Sequence, residues 1–514
     1  MIESWADASR EGISRTAVSL PAYPMCIITT ALSLALMVGG CTRPEPSGPT
    51  ESVTERPNIL LITVDTLRPD YLSIYGYQEH TTPNIDELGN QGVVFDKAYC
   101  NVTWTTPSMA TTLTGLLPTQ HGFRSTFDRL PDDIETVAER LGQQGYRNIA
   151  VIGSYPLDSI YGLDQGFDVY DDDFTVPLVL SDAEDFEDLP SQRGRTIQEQ
   201  EDFNKKKAFG KSRRTDAEVS DTAIGYLAEI DETRPFFLWV HYFGPHSLPD
   251  TRKHGLRNLR NHVDTYPDKV VRSDREVGRL LDQLKSSGLD ANTLVIFHSD
   301  HGEALGEHKY IGHGRYLFAD NLKIPLIIRW PGVTQAGRRV DAIVGTIDIA
   351  TTILEAAGVP TGNSPLQGRS VLPALLDGTP IRNTLYLETY MPAHRGFAEK
   401  AELSNGEKIN VGVCRFGILR YPYKLVVTQP HQLFDDPDNS VSDELASRFR
   451  GLKLFNVEDD PGEEHDLSDQ EPEILHELET LLERYLQESS TSNTPSADLS
   501  DEQIEKLRSL GYLQ

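Results

Sequence analysis

Four short, uninterrupted apolar runs constrain this chain more than any other feature: Asn58-Ile-Leu-Leu-Ile-Thr-Val64, Phe236-Phe-Leu-Trp-Val-His241, Thr293-Leu-Val-Ile-Phe-His298 and Ile324-Pro-Leu-Ile-Ile-Arg-Trp330. None alternates as a half-exposed strand does, so each reads as a strand buried on both faces, the habit of a parallel sheet. Between them lie helical patterns at Thr136–Gln144, Asp216–Ile230, Ser273–Leu284 and Ile347–Ala357. Strands alternating with helices imply an α/β fold, a large mixed and mainly parallel sheet with helices on both faces. This domain is expected over residues 57–380. Shorter strands at Leu385–Thr389, Cys414–Leu419 and Tyr423–Val427, then an amphipathic helix at Pro472–Gln487, predict a small C-terminal α+β subdomain over 381–487. The tail, 488–514, is polar and ends in a short helix, Asp501–Leu510. Reactive groups in such sheets gather at the carboxyl edge. Asp65 and Asp300 each follow a strand, which puts both there.

The N-terminus reads as an address. Met25–Gly40 carries no charge, is short for a membrane span and suits the core of a signal peptide over residues 1–40. It ends Val-Gly-Gly-Cys41, which resembles a bacterial lipobox whose Cys41 is lipidated. Residues 41–56, rich in Pro, Ser, Thr and Glu, form a tether. The expectation is a lipoprotein of the bacterial cell envelope, periplasmic or on the outer membrane, touching membrane only through that anchor. The n-region lacks the usual positive charge, with Arg10 and Arg15 against three acids, which points to a start further downstream.

Charge and cysteine content exclude several classes. The formal net charge is −30, which repels phosphate backbones, so no nucleic-acid partner is expected. The four cysteines, at 26, 41, 100 and 414, make neither a disulfide framework nor a thiolate zinc scaffold. An acidic stretch followed by a basic cluster over 171–214 reads as a solvated surface excursion.

Four clusters carry chemistry. Val64-Asp65-Thr66-Leu67-Arg68 puts a carboxylate at a strand tip; taken alone, Asp65 reads equally as a helix cap. Thr105-Thr-Pro-Ser-Met109, at the start of a segment running to Gly115, puts a hydroxyl where backbone N–H groups and a helix dipole stabilise an anion, or simply caps the helix. His298-Ser-Asp300-His301-Gly-Glu303, followed by Gly312-His313-Gly314, supplies oxygen and nitrogen ligands suited to a divalent ion. His241-Tyr-Phe-Gly-Pro-His246 offers imidazoles for acid–base work or metal binding.

The order Asp65, Thr105-Thr-Pro-Ser108, His246, Ser299-Asp-His-Gly-Glu303 and Ile324-Pro-Leu-Ile-Ile-Arg-Trp-Pro-Gly332 resembles the sulfatase family of the alkaline-phosphatase superfamily. The likeness continues through Leu366-Gln-Gly-Arg-Ser370 and Leu454–Glu463, covering roughly 57–487. It implies one divalent metal held by Asp65, Asp300 and His301, with the nucleophile Thr105 as a further ligand. It also implies that His246 and His313 face the substrate, and His241 of the same cluster is expected to bind substrate beside them. His246 or His313 would protonate the leaving group, and His313 stands where many sulfatases place a sulfate-binding Lys.

Two departures matter. Sulfatases usually read Cys-x-Pro-Ser-Arg, with the Cys oxidised to formylglycine; here these positions are Thr105 and Met109, so no formylglycine forms. Cys100 lacks the Pro-Ser context and is no substitute. A formylglycine hydrate expels sulfate from a hemiacetal, an exit closed to a sulfated Thr, whereas a phosphorylated Thr is open to in-line attack by water. Second, the family's tandem acids after the first strand are here Asp65-Thr66. Fewer carboxylates plus a His shift the preferred ion from calcium toward manganese or zinc; one ion is expected, with a two-zinc site left open.

The sequence therefore predicts an exported, metal-dependent hydrolase of phosphate or sulfate esters, phosphodiester or phosphonate chemistry favoured, acting on a small-molecule, glycan or lipid ester. The alternatives are an arylsulfatase-like sulfuric ester hydrolase, a phosphoryl transferase, or a catalytically silent glycan-binding lipoprotein.

Overall fold

The computed structural model describes residues 56–79, 81–125, 128–174, 213–231, 233–246, 256–361, 366–391, 399–402, 408–431, 450–488 and 499–509. The expected signal peptide, tether and Cys41, most of the 171–214 excursion and the polar part of the tail lie outside them.

The first six strands are β1 (Asn58–Val64), β2 (Val93–Tyr99), β3 (Arg147–Ile152), β4 (Val169–Asp171), β5 (Phe236–Tyr242) and β6 (Thr293–His298). A small hairpin, β7 (Ala304–Leu305) with β8 (Ile311–Gly312), precedes β9 (Leu326–Arg329) and β10 (Arg338–Gly345). Apart from the hairpin, these make one eight-stranded sheet in the order β10-β2-β9-β6-β1-β5-β3-β4. β9 runs antiparallel to β2 and β6, and the remaining pairs are parallel. The mixed, mainly parallel sheet expected from the sequence is thus present. Its central strand β1 is buried along nearly its whole length, as its unbroken apolar run requires.

Helices cover both faces. On one face lie α1 (Pro83–Gln91), α4 (Asp216–Ala228) and α5 (Leu256–Ser286), through Ile85, Leu88, Val219, Ala223, Tyr266, Val277 and Leu284. On the other lie α2 (Thr105–Thr114), α3 (Val137–Gly142) and α6 (Asp348–Ala356), through Met109, Leu113, Val137, Leu141, Ile353 and Leu354. The pattern at Ser273–Leu284 is only the second half of α5. Its first half carries His262, Asp264 and Pro267, which break the apolar period.

The C-terminal part is a second, antiparallel sheet in the order β11 (Thr384–Met391), β13 (Lys408–Arg420), β14 (Tyr423–His431) and β15 (Gly451–Asn456), with β12 (Glu399–Glu402) also paired to β13. The amphipathic helix α7 (Pro472–Glu488) buries Leu478, Leu482 and Tyr485, and α8 (Asp501–Ser509) buries Leu507. This sheet braces the segment ahead of α2. The Glu388 backbone N–H donates to the Asn101 carbonyl at 2.8 Å, Asn101 Nδ2 donates to the Tyr386 carbonyl at 2.8 Å, and Trp104 Nε1 donates to the Tyr390 carbonyl at 3.1 Å.

Candidate active site

Strand register assembles the site. Thr63 of β1 stands opposite His241 of β5 and His298 of β6. Side chains two apart on a strand share a face, so Asp65 and His241 arrive over one face at the carboxyl edge, and the turn after β6 brings Asp300 beside them. α2 packs on that face through Met109 and Leu113, and its first residue is Thr105.

Thr105 Oγ1 lies 3.3 Å from Asp65 Oδ2 and 3.2 Å from His301 Nε2. His301 Nδ1 is 2.9 Å from the Gly302 carbonyl, which only accepts, so Nδ1 carries the proton and Nε2 turns a lone pair toward Thr105. Burial lowers the His301 pKa and keeps this ring neutral. Ser108 Oγ donates to the Asp300 carbonyl at 2.7 Å, and Leu67 N donates to Ser299 Oγ at 2.8 Å, fixing the turn between β6 and the site.

Asp65, His241 and Asp300 are fully buried and offer ligand atoms that all lie within 4.8 Å of one another. Asp65 Oδ1, Asp300 Oδ2 and both His241 ring nitrogens take part in no hydrogen bond among the described residues. Burial, then the negative charges of Asp300 and Glu303, push the Asp65 carboxyl well above its ordinary range, while burial pulls His241 down to about 4. Buried carboxylate oxygens left without donors, one on each of two neighbouring acids, are costly unless a cation meets them. Two carboxylate oxygens and a neutral imidazole are a donor set that fits a divalent ion, and one containing imidazole favours manganese or zinc over calcium. Among the described residues no second group of three such side chains is this close.

His241, which the sequence placed on the substrate side, therefore lies with these carboxylates. Thr66 has a left-handed backbone, φ 55, costly for a β-branched residue. That turn aims its N–H at Asp300 Oδ1, 3.1 Å away, and points its hydroxyl back at the Asp65 carbonyl at 2.8 Å.

His246 and His313 stand together on the other side of His301, with ring centroids 4.8 Å apart and His313 4.5 Å from His301. His246 stacks on Phe243 at 4.3 Å, and burial lowers its pKa well below the usual imidazole value. Its loop hangs from Asp216, whose Oδ1 accepts from the Phe243 and Gly244 backbone N–H groups at 3.0 and 2.9 Å. A side chain at Gly244 would start 2.3 Å from Asp216 Oδ2, so no further carboxylate ligand fits there.

His313 Nδ1 is 2.8 Å from Glu303 Oε2. Burial pushes the Glu303 carboxyl up, but His313, His262 and His301 outweigh it and hold it below its ordinary range. Trp104 meets His313 edge-on, with centroids 5.7 Å apart. Gly314, at φ 80, lets that indole approach: a Cβ there would lie 2.2 Å from the ring.

The structure thus brings together Asp65, Thr105, His241, His246, Asp300, His301 and His313. His298 is drawn elsewhere, its Nδ1 donating to the Ser299 carbonyl at 2.8 Å and its Nε2 lying 3.2 Å from Thr63 Oγ1. Met109 is wholly buried within the apolar core cluster. No local signal marks Asp216 or His262: the first opens a helical pattern, the second precedes one, and neither has a motif around it. Glu303 stands in the sequence only as a member of its motif, with no role assigned to it.

Residues 57–359 match the family described as Sulfatase, more than half of the chain. The chain belongs to the sulfatase family. Residues 306–436 also match the C-terminal region described for N-sulphoglucosamine sulphohydrolase. An N-acetylglucosamine-6-O-sulfatase of Bacteroides thetaiotaomicron is 25% identical over 447 residues, 66% of this chain and 74% of the relative. The N-acetylgalactosamine-6-sulfatase of Canis lupus familiaris is 28% identical over 352 residues, and the match spans 63% of this chain and 66% of the relative. A solved structure of the phosphonate monoester hydrolase of Agrobacterium radiobacter superposes with a TM-score of 0.60 at 20% identity, covering 84% of this chain and 96% of its own. This last likeness is one of fold.

Proposed function

We propose that this member of the sulfatase family is a metal-dependent ester hydrolase whose nucleophile is the Thr105 hydroxyl, acting on phosphate or phosphonate esters in preference to sulfate esters. The observation that carries the reading is Thr105 Oγ1 at the N-terminus of α2, within 3.3 Å of Asp65 Oδ2 and 3.2 Å of His301 Nε2. Asp65, His241 and Asp300 would hold a divalent ion, with His301 and Thr105 beside it; when bound, the ion offsets the charge of these carboxylates and of the transition state.

This chain's residues then divide the work. Asp65 accepts the hydrogen bond of the Thr105 hydroxyl and aims its oxygen. The Thr105 oxygen bonds to phosphorus as the ester oxygen leaves with its electron pair, and the hydroxyl proton passes to solvent. His313 or His246 protonates the departing oxygen. Water then attacks the phosphorylated Thr105 in line and restores the hydroxyl. The positive end of α2 faces the transferred group, where the Arg of other sulfatases is replaced by buried Met109.

The relatives named as sulfatases favour a second reading, a sulfate ester on a glycan. Purified protein with manganese, zinc or calcium, assayed on an aryl phosphodiester and the matching aryl sulfate, separates the two. Turnover of the diester, abolished by Thr105→Ala, is the expected result. Sulfate turnover lost in the same variant would instead establish the sulfuric ester reading, and turnover that survives Thr105→Ala would overturn the nucleophile. The N-terminal sequence supports an envelope lipoprotein anchored through Cys41, and radiolabelled palmitate incorporation lost in Cys41→Ala would test it.

A further inference from the structure

We infer that Glu303 is a positioning residue that presents Nε2 of His313 to the departing ester oxygen, and that His262 and Lys269 of α5 hold Glu303 in turn. The inference rests on the ester-hydrolase reading above and assigns parts to three residues outside it.

Glu303 is wholly buried. Its Oε2 is 2.8 Å from His313 Nδ1, and an ionised carboxylate only accepts, so Nδ1 is the donor and a proton that His313 passes on comes from Nε2. The other oxygen, Oε1, accepts no hydrogen bond among the described residues and stands 3.8 Å from His262 Nε2. Lys269 Nζ lies 3.0 Å from His262 Nδ1. An ammonium only donates, so His262 accepts at Nδ1 and carries its proton on Nε2, the side that faces Glu303. Seven residues, two helical turns, separate His262 from Lys269, which puts both on one face of α5.

Imidazoles therefore flank Glu303 on two sides: His313 hydrogen-bonds it from the site at 2.8 Å, and His262 stands 3.8 Å away in the helix layer. A carboxylate placed only to fill the interior needs neither a fixed donor direction nor a second imidazole behind it. In the reaction, the ester oxygen leaves with the bonding electron pair and takes the proton of His313 Nε2. The ring keeps Nδ1–H on Glu303, and the water of the second step returns a proton to Nε2.

The test uses the metal-loaded full chain and a series of phosphodiesters with leaving groups from p-nitrophenol to simple alcohols. For Glu303→Gln the expected loss in kcat is ~100-fold or more for alkyl esters and small for p-nitrophenyl esters, which depart without a proton. Lys269→Met, a change near the helix surface, should give the same leaving-group dependence at smaller size and serves if Glu303→Gln does not fold. An equal loss along the series in either variant would overturn the inference. A proton NMR spectrum gives a readout independent of turnover: a downfield imidazole N–H signal present in the parent and in Thr105→Ala, and moved or lost in Glu303→Gln. If the parent hydrolyses no ester, the functional reading falls, while the signal still decides whether Glu303 fixes the His313 ring. A signal that survives Glu303→Gln unchanged would overturn that as well.

Discussion

The indole N–H of Trp104 donates to the carbonyl of Tyr390, 3.1 Å away, so the second sheet holds the residue immediately before the Thr105 hydroxyl. The same indole packs edge-on against His313. One side chain thereby touches both the segment that carries Thr105 and the imidazole of His313.

Replacing Thr105 by Ala should lower kcat on an aryl phosphodiester by at least ~1000-fold with the circular dichroism spectrum unchanged, because the nucleophile is lost and its partners stay in place. Thr105→Ser keeps the hydroxyl and should retain measurable turnover. Equal rates for Ala and Ser would remove Thr105 from the chemistry.

His241 contributes one of three ligand atoms lying within 4.8 Å of each other. Titration calorimetry with manganese or zinc should show binding at least ~10-fold weaker in His241→Ala than in the parent. The parent should gain about 2.7 kcal/mol of stability at an ion concentration near 100 Kd. Unchanged affinity in the variant would place His241 outside the metal site.

In the metal-free protein the buried rings of His298 and His121 should contribute a loss of stability as pH falls from about 6.5 toward 4. Burial lowers the pKa of His298 from 6.5 to about 4 and that of His121 to about 3. Below pH 6.5 the unfolded chain takes up protons that these buried rings refuse, so unfolding is favoured; above it both states are neutral and the effect vanishes. Urea denaturation at pH 5 and pH 7 with chelator present measures this, and equal midpoints would refute it.

Lys424 and Glu463 form an ion pair at 2.6 Å whose side chains are 2% and 1% exposed. Lys424 Nζ also donates to the Leu317 carbonyl, and Glu463 accepts from Ala319 N at 3.1 Å, so the pair pins the segment after His313. Lys424→Met strands a buried carboxylate and should cost roughly 3–5 kcal/mol, partly recovered in Lys424→Met/Glu463→Gln. Chemical denaturation would show it; a double variant no better than the single would mean that the pair is not coupled.

The sequence made the sheet legible where strands are buried on both faces, as in β1 and β6. It hid β2, whose Asp96 and Lys97 lie less buried and interrupt the apolar run Val93-Val-Phe95. The loop residues of the site stood out because Asp, His and Gly crowd beyond strand ends, where a merely structural sequence has little use for them. What stayed hidden depends on distant pairing. His262 reaches Glu303 from the middle of a helix, and Asp216 serves a loop from a helix start, so neither carries a local signal. The place of His241 was set by the register of β5 against β1, which no spacing within one strand reveals.

The bracing of Asn101–Trp104 by β11 has a consequence for the order in which the protein becomes competent. During synthesis, Asp65, Thr105, Asp300 and His301 have all left the ribosome well before Thr384 is made. Until β11 adds its bonds to that segment, these side chains exist without the prop that holds the start of α2. Activity should therefore emerge late and abruptly, when the last quarter of the chain docks, which keeps a half-made hydrolase inert.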